Sequence, residues 1–273
     1  MEPVITLQQI SGGILLAVVI GVLAWRAGAL APSGAWAAGV IGSFIFGFGG
    51  LPWAALLLTF FISSSGLSKL FASRKKLMSE KFAKGSRRDW GQVLANGGLG
   101  AFLAVVQPLQ PDELWPWLAF VAAMATVNAD TWATEIGVLS PNRPRLITTG
   151  QKVERGTSGG VSLTGSIATL AGALLVALIG KIFTPEQSWL VAVGVVTLAG
   201  FAGAFFDSLL GATVQAIYYD PIREKETERR VFMDNNQPAM PVRGWEWMNN
   251  DVVNFLSSIF GALAAVGIYL LIV

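Results

Sequence analysis

The sequence predicts an all-α integral membrane protein, a polytopic bundle of about eight transmembrane helices forming one domain over residues 1–273. Three observations carry this. Of the 273 residues, 53% are hydrophobic and only 13% charged, where soluble domains carry roughly 25% charged residues. The mean hydropathy is +0.58, and the apolar runs are long enough to cross a bilayer repeatedly. Neither Cys nor His occurs, which excludes thiolate and imidazole chemistry, ordinary zinc sites and haem ligated by His or Cys. Any chemistry must use carboxylates, Lys or Arg, hydroxyls, amides and hard metal ions.

The amino-terminal Met1-Glu2-Pro3 lacks a basic leader, so the first apolar run, about residues 10 to 30, reads as a retained span. The second, 34 to 50, is short and carries Gly39, Gly42, Gly47, Gly49 and Gly50; it reads as a tightly packing or re-entrant piece. Pro52 separates it from a third span at 52 to 72. Further spans follow at 90 to 108, 114 to 139, 161 to 181, 188 to 219 and 251 to 273. Every Lys and Arg except Arg26, Lys69 and Lys181 falls in three alternate loops, 73–89, 140–160 and 220–250. The positive-inside rule puts those loops in the cytoplasm and both termini outside, with a bacterial inner membrane as the expected setting. The charges of 73–89 read as retention and headgroup charge, with a grip on a phosphorylated lipid as the sharper alternative. The alternating run Arg223 to Arg230 reads as solvated helix or flexible loop.

The fifth span breaks the apolar pattern. Asn128, Asp130, Thr131, Thr134 and Glu135 share one helical arc of about 160°, with Ala129, Trp132, Ala133 and Ile136 opposite. An acid in a hydrophobic span persists mostly where it lines a cavity, pairs or binds an ion. The loop that follows holds Lys152, Arg155, Gly156, Thr157, Ser158, Gly159 and Gly160 just before a long apolar helix. Glycines there let the backbone approach a ligand, and amides before a helix suit phosphate. It is not a P-loop, because the Lys precedes the glycines. On the seventh span Asp207, Ser208, Gly211 and Gln215 share a face, and on the eighth Asn250, Asp251, Asn254, Ser257 and Ser258 do the same. Under the predicted topology these faces gather at one cytoplasmic-side depth, where Asn96 of the fourth span joins them. Asp130-Thr131 and Asp207-Ser208, each with a small residue a turn later, suggest an internal repeat. The residues alone therefore point to a Mg²⁺ and phosphate site facing the cytoplasm and opening to lipid.

At Asn128 to Gly137, Lys152 to Gly160, Phe206 to Gln215 and Asn249 to Asn254 the sequence resembles the membrane family, domain of unknown function ninety-two, that contains animal transmembrane protein nineteen and the plant and cyanobacterial phytyl-phosphate kinases. The motifs are Asn-x-Asp-Thr-x-Ala-Thr-Glu, Gly-Thr-x-Gly-Gly-x-Ser, Asp-Ser-x-x-Gly and Asn-Asn-Asp-x-x-Asn. More distantly, the order of acid and glycine loop is similar to CTP-dependent polyprenol kinases. The resemblance implies phosphorylation of an isoprenyl monophosphate to the diphosphate, with CTP or another nucleoside triphosphate as donor and Mg²⁺ as cofactor. On that implication Asp130, Glu135 and Asp207 are the expected metal ligands, and with Lys152 the expected catalytic set. Asn128, Thr131, Thr134, Arg155, Gly156 to Gly160, Ser208, Gly211, Asn250 and Asn254 are the expected cofactor-binding residues. The expected partners are the isoprenyl phosphate, the nucleotide and the bilayer, and not nucleic acid; the sequence leaves the oligomeric state open. Two alternatives fit the same residues: a transporter or flippase for lipid or isoprenoid phosphates, and a prenol kinase or nucleotidyltransferase.

Overall fold

A computed structural model describes residues 6–72, 87–221, 224–231 and 238–272. The chain folds as a helical bundle with small β-elements at one end. Helix α1, Leu7–Arg26, starts at Thr6, whose hydroxyl accepts the Gln9 amide. Helix α2, Pro32–Leu70, carries Pro at its first turn and breaks at Gly50 (φ 69, ψ −158). Helix α3, Trp90–Val106, is opened by a capping box between Asp89 and Gln92, and runs into a 3₁₀ turn at Gln107–Leu109. Helix α4, Trp115–Gly137, leads to a short hairpin, β1 Arg145–Leu146 against β2 Gly160–Val161. Ser162 caps α5, Leu163–Ile182. A π-helical turn, Leu190–Val195, feeds α6, Val196–Thr213. Strands β3 Ile217–Asp220, β4 Lys225–Thr227 and β5 Pro241–Arg243 form an antiparallel sheet in the order β4-β3-β5 before α7, Asn250–Ile272.

The break in α2 reverses the chain. Arg88 is bonded through its backbone to Ala29 and Ala31, just ahead of α2, while its side chain donates to Ser65 Oγ at 2.8 Å. A straight helix would separate residues 31 and 65 by about 50 Å, far beyond an Arg side chain. The two arms of α2 therefore run back alongside each other, and only a glycine readily adopts the positive φ at the corner. Trp53, just past it, stacks on Phe120 at 4.2 Å and meets Trp117 edge-on at 5.5 Å, which fixes the second arm to the start of α4. The predicted second and third apolar stretches are thus the two arms of one broken helix. Six helices are long and apolar enough to cross a membrane by length and composition among the described residues, α2 counting once.

Small residues set the packing distance. A Cβ at Gly13 would meet the Gly47 backbone at 2.6 Å, so α1 and the first arm of α2 touch along their backbones. Helix α4 is the axis: Phe120, Ala122, Ala123, Met124, Ala125 and Ala129 have no exposed surface, and α2, α3, α5, α6 and α7 all pack on it. Gly200 faces Ala125, Gly203 and Gly261 both face Thr126, and Gly172 faces Ala129. Helix α4 is not one of the six apolar candidates. Its apolar part, Pro116 to Ala129, is buried by protein, while Asp130 to Thr134 are only partly covered.

The seventh stretch ends earlier than its apolar run predicts. Helix α6 stops at Thr213, and Ile217-Tyr218-Tyr219 pair as β3 instead of continuing to 219. Residues 225–227, expected as solvated helix or flexible loop, are strand β4, with Thr227 buried. Of the basic residues in the 73–89 loop, Arg74, Lys75, Lys76, Lys81 and Lys84 lie outside the described residues, as does Arg223.

Candidate functional site

At the end of the bundle that carries the β-elements lies a cavity of about 800 Å³. Its walls come from every motif singled out above. Helix α4 supplies Asp130, Thr131, Thr134 and Glu135, and α6 supplies Asp207, Ser208 and Gly211. Helix α7 supplies Asn250, Asp251 and Asn254; the loop after α4 contributes Arg155 and Gly156 to Gly160. Asn96, with Gln92, closes the α3 side.

Two acids face each other across α4 and α6. Asp207 Oδ2 accepts from Ser257 Oγ at 3.2 Å and, with the Asn254 amide turned to suit its neighbours, from Asn254 at 3.0 Å. Asp130 and Glu228 lie within electrostatic range of Asp207. Hydrogen bonds from α7 thus orient the carboxylate, while like charges gather beside it. That is an arrangement in which a cation is welcome.

The glycine loop is docked on α6 by a close backbone approach. Gly159 (φ 80) places its Cα so that an added Cβ would lie 2.5 Å from the Ala212 Cβ, and a Cβ at Gly211 would lie 3.0 Å from the Gly159 nitrogen. The two glycine motifs therefore meet. Ser158 Oγ donates to Glu228 Oε1 at 2.9 Å, and Gln215 Nε2 donates to the same oxygen at 2.9 Å. Loop, α6 and sheet are tied through one carboxylate. Within the loop, Thr157 N–H donates to Glu154 O and Gly160 N–H to Thr157 O, so these two amides serve the turn.

Glu135 takes a different position from the other acids. It is 3% exposed, accepts from Ser68 Oγ at 2.7 Å, and faces Arg88. Burial pushes the Arg88 guanidinium down to about 10, with Glu135 pulling it back up, so it stays cationic at neutral pH. Among the described residues no three acidic side chains converge closely enough to hold one ion. The oxygen donors that fit Mg²⁺ are the Asp130 and Asp207 pair; one or two carboxylates with phosphate oxygens and water are its usual set.

Two expected residues lie elsewhere. Asn128 is fully buried and does not line the cavity: its Oδ1 accepts from Ser63 at 2.8 Å and Ser64 at 3.4 Å, and its Nδ2 donates to Gly172 O at 2.8 Å. It ties α2, α4 and α5 together, one turn from the cavity side of α4. Lys152 is exposed and bridges to Arg145 across the hairpin, away from the lining. Arg155 does line the cavity, with Nη2 donating to Ser140 O at 2.7 Å and Pro141 O at 3.2 Å. The lining also contains Glu228, Arg229 and Arg230 from the sheet region and Gln92, which sequence reasoning missed, and Arg88, which it had weighed only as part of the basic loop 73–89. The four-residue spacing from Arg88 through Gln92 to Asn96 was the available signal for that wall. Nothing in the alternating charges of 224–230 distinguishes a lining segment from a solvated one.

The family described as integral membrane protein DUF92 matches residues 15–262. The chain is 34% identical over 230 residues to Protein PGR of Arabidopsis thaliana, covering 76% of this chain and 78% of that protein. It is 31% identical to an uncharacterized membrane protein of Methanocaldococcus jannaschii, over 85% and 84% of the two chains. It is 27% identical to Protein VTE6, chloroplastic, of Arabidopsis thaliana, over 97% of this chain and 66% of that one. No solved structure matches.

Proposed function

The chain belongs to the DUF92 family of integral membrane proteins, and on that premise we propose that it is a phosphotransferase that carries an isoprenyl monophosphate to the diphosphate. The donor is a nucleoside triphosphate, and the kinase resemblance of the motifs favours CTP. The observation that carries this reading is the convergence of four motifs on one cavity: it is lined by residues 155–160 and by side chains from 130–135, 207–211 and 250–254. A carrier has no need of a glycine loop closing backbone-to-backbone on an acid-bearing helix.

Asp130 and Asp207 would hold Mg²⁺, which when bound neutralises phosphate charge. Ser257 and Asn254 keep Asp207 aimed into the cavity. The hydroxyl of Thr157, the backbone of Gly156 and the Arg155 guanidinium lie on the loop side, where donor phosphates would rest. In the transfer, an acceptor phosphate oxygen forms a bond to the γ-phosphorus. The bond from that phosphorus to the β-γ bridging oxygen breaks, and the nucleoside diphosphate leaves with the electron pair. The acceptor is already an anionic oxygen at neutral pH, so no strong general base is required; positioning and charge neutralisation carry the step. The buried setting limits donor hydrolysis by excluding water. By the positive-inside rule the cavity opens to the cytoplasm, where nucleotides are available.

The test is direct. Purified protein incubated with Mg²⁺, γ-labelled CTP or ATP and short-chain prenyl monophosphates should place label in the lipid. With a prenol supplied as acceptor, labelled prenyl monophosphate formed while prenyl monophosphates themselves stay unlabelled would indicate a prenol kinase. A lipid carrying the nucleotide would indicate nucleotidyl transfer, and vesicle transport without label would indicate a carrier.

A further inference from the structure

We propose that the α3 side of the cavity is the acceptor subsite, with Arg88 binding the phosphomonoester head of the lipid. This rests on the phosphotransfer reading above and adds which end of the cavity takes which substrate. Arg88, Gln92 and Asn96 recur at four-residue spacing and all line the cavity. Gln92 and Asn96 lie one turn apart on α3, and Arg88 stands just ahead of its capping residue Asp89, so the three put polar groups on one wall.

Arg88 is held as a ligand-binding Arg would be. Its backbone is bonded on both sides to the chain ahead of α2, Arg88 N to Ala29 O at 3.0 Å and Ala31 N to Arg88 O at 2.9 Å. The side chain donates to Ser65 and packs its guanidinium 5.4 Å and 5.6 Å from the ring centres of Phe60 and Phe61. Cation–π contacts of this kind fix the plane of the fork. Glu135 faces it from α4, which keeps the pocket near neutral until an anion arrives. A planar guanidinium matches a phosphate dianion with two parallel hydrogen bonds, which a point charge cannot do.

The surroundings indicate a lipid and not a soluble phosphate. Ile62, next in sequence to the Phe61 that Arg88 packs on, and Trp90 and Leu94 at the start of α3 are exposed apolar side chains on the two helices that hold Arg88. Asp207, Asp130 and Glu228 lie close to one another, and a phosphate beside them without a metal would be repelled. In-line transfer requires two phosphate groups meeting inside one cavity, one brought by the metal and one held by a protein cation. Arg88 is placed to be that cation, and a prenyl tail lying along the exposed apolar surface of α2 and α3 would leave its head at Arg88.

The experiment measures binding without nucleotide, on the full-length protein in detergent, with three probes: farnesyl monophosphate, farnesol and inorganic phosphate. The expected result is that farnesyl monophosphate binds at least about tenfold more tightly than farnesol, that Arg88→Gln removes this difference, and that Asp130→Asn retains it. Arg88→Gln binding farnesyl monophosphate like the unsubstituted protein would overturn the assignment. So would inorganic phosphate binding as tightly as farnesyl monophosphate, since the subsite would then not read the lipid. Should Arg88→Gln fail to fold, Arg88→Lys is read in its place; it keeps the charge and loses the fork, and an affinity unchanged from the parent would again overturn the proposal. Arg88-dependent binding with no label transfer under any nucleotide would sink the kinase reading and leave the subsite standing. Transfer that proceeds with unaltered farnesyl monophosphate affinity in the Arg88 variants would do the reverse.

Discussion

Single side chains at the site separate into those that meet the cavity and those that support it. Asp207→Asn keeps the size of the side chain but removes a charge on which the proposed Mg²⁺ site depends, so label transfer should fall by a factor on the order of 100 or more. Thermal unfolding should shift by only a few degrees, because Asn254 and Ser257 still have an oxygen to donate to. Asn128→Ala should behave oppositely. It leaves Ser63, Ser64 and Gly172 without their buried partner, which should destabilise the fold by about 2–3 kcal/mol, seen as a lower melting temperature. The affinity of the folded protein for nucleotide should hold. Lys152→Ala should retain nearly full transfer, since Lys152 is exposed on the hairpin. The acids, Thr131, Thr134, Ser208 and Asn254 were legible in the sequence because a polar side chain in an apolar span has few reasons to be there. Asn128 shares their arc and was indistinguishable from them: the wheel gives direction, not depth, and one turn along α4 separates interhelical glue from cavity wall. Lys152 carried a motif's appearance only through its distance from the glycines.

At the scale of elements, glycine positions decide where chains approach. Gly159→Ala would force a side chain onto a left-handed backbone and into Ala212 at 2.5 Å, so the loop must lift off α6. Transfer should drop steeply while the bundle stays folded, and limited proteolysis should cut the 150–160 loop faster than in the parent. Gly50→Ala meets no neighbour closer than 3.5 Å, so its penalty is conformational alone, about 1–3 kcal/mol for a φ/ψ region that is essentially glycine's own, readable as a loss of thermal stability. The glycine cluster and Pro52 made this corner visible in advance, though not that the arms fold back against each other; that is fixed by Arg88, which reaches both ends. Strand β3 was hidden for a different reason. Ile217-Tyr218-Tyr219 extends an apolar run without interruption, and periodicity cannot divide helix from strand over so few residues. Only pairing with β4, a few residues on, and with β5, about twenty residues on, settles it.

For the molecule as a whole, the polar faces of α4, α6 and α7 were expected to gather at one depth, and side chains from all three line one cavity. The sheet that brings Glu228, Arg229 and Arg230 to the same cavity was not foreseen, because charge alternation looks alike on a wall and on a solvated surface. Helix α4 has a consequence for how the protein is made. Surrounded by five neighbours in the finished structure, it is too polar to join the six apolar candidates, and an Asp near the middle of a lone segment opposes insertion by about 2.5–3.5 kcal/mol. During synthesis it should therefore wait at the translocon for companions. Nascent chains truncated after residue 140 should show α4 inserted poorly in a glycosylation-mapping assay, and chains extended past α6 should show it inserted well. Asp130→Leu should erase that delay, which would make the same carboxylate a toll on biogenesis as well as a seat for the metal.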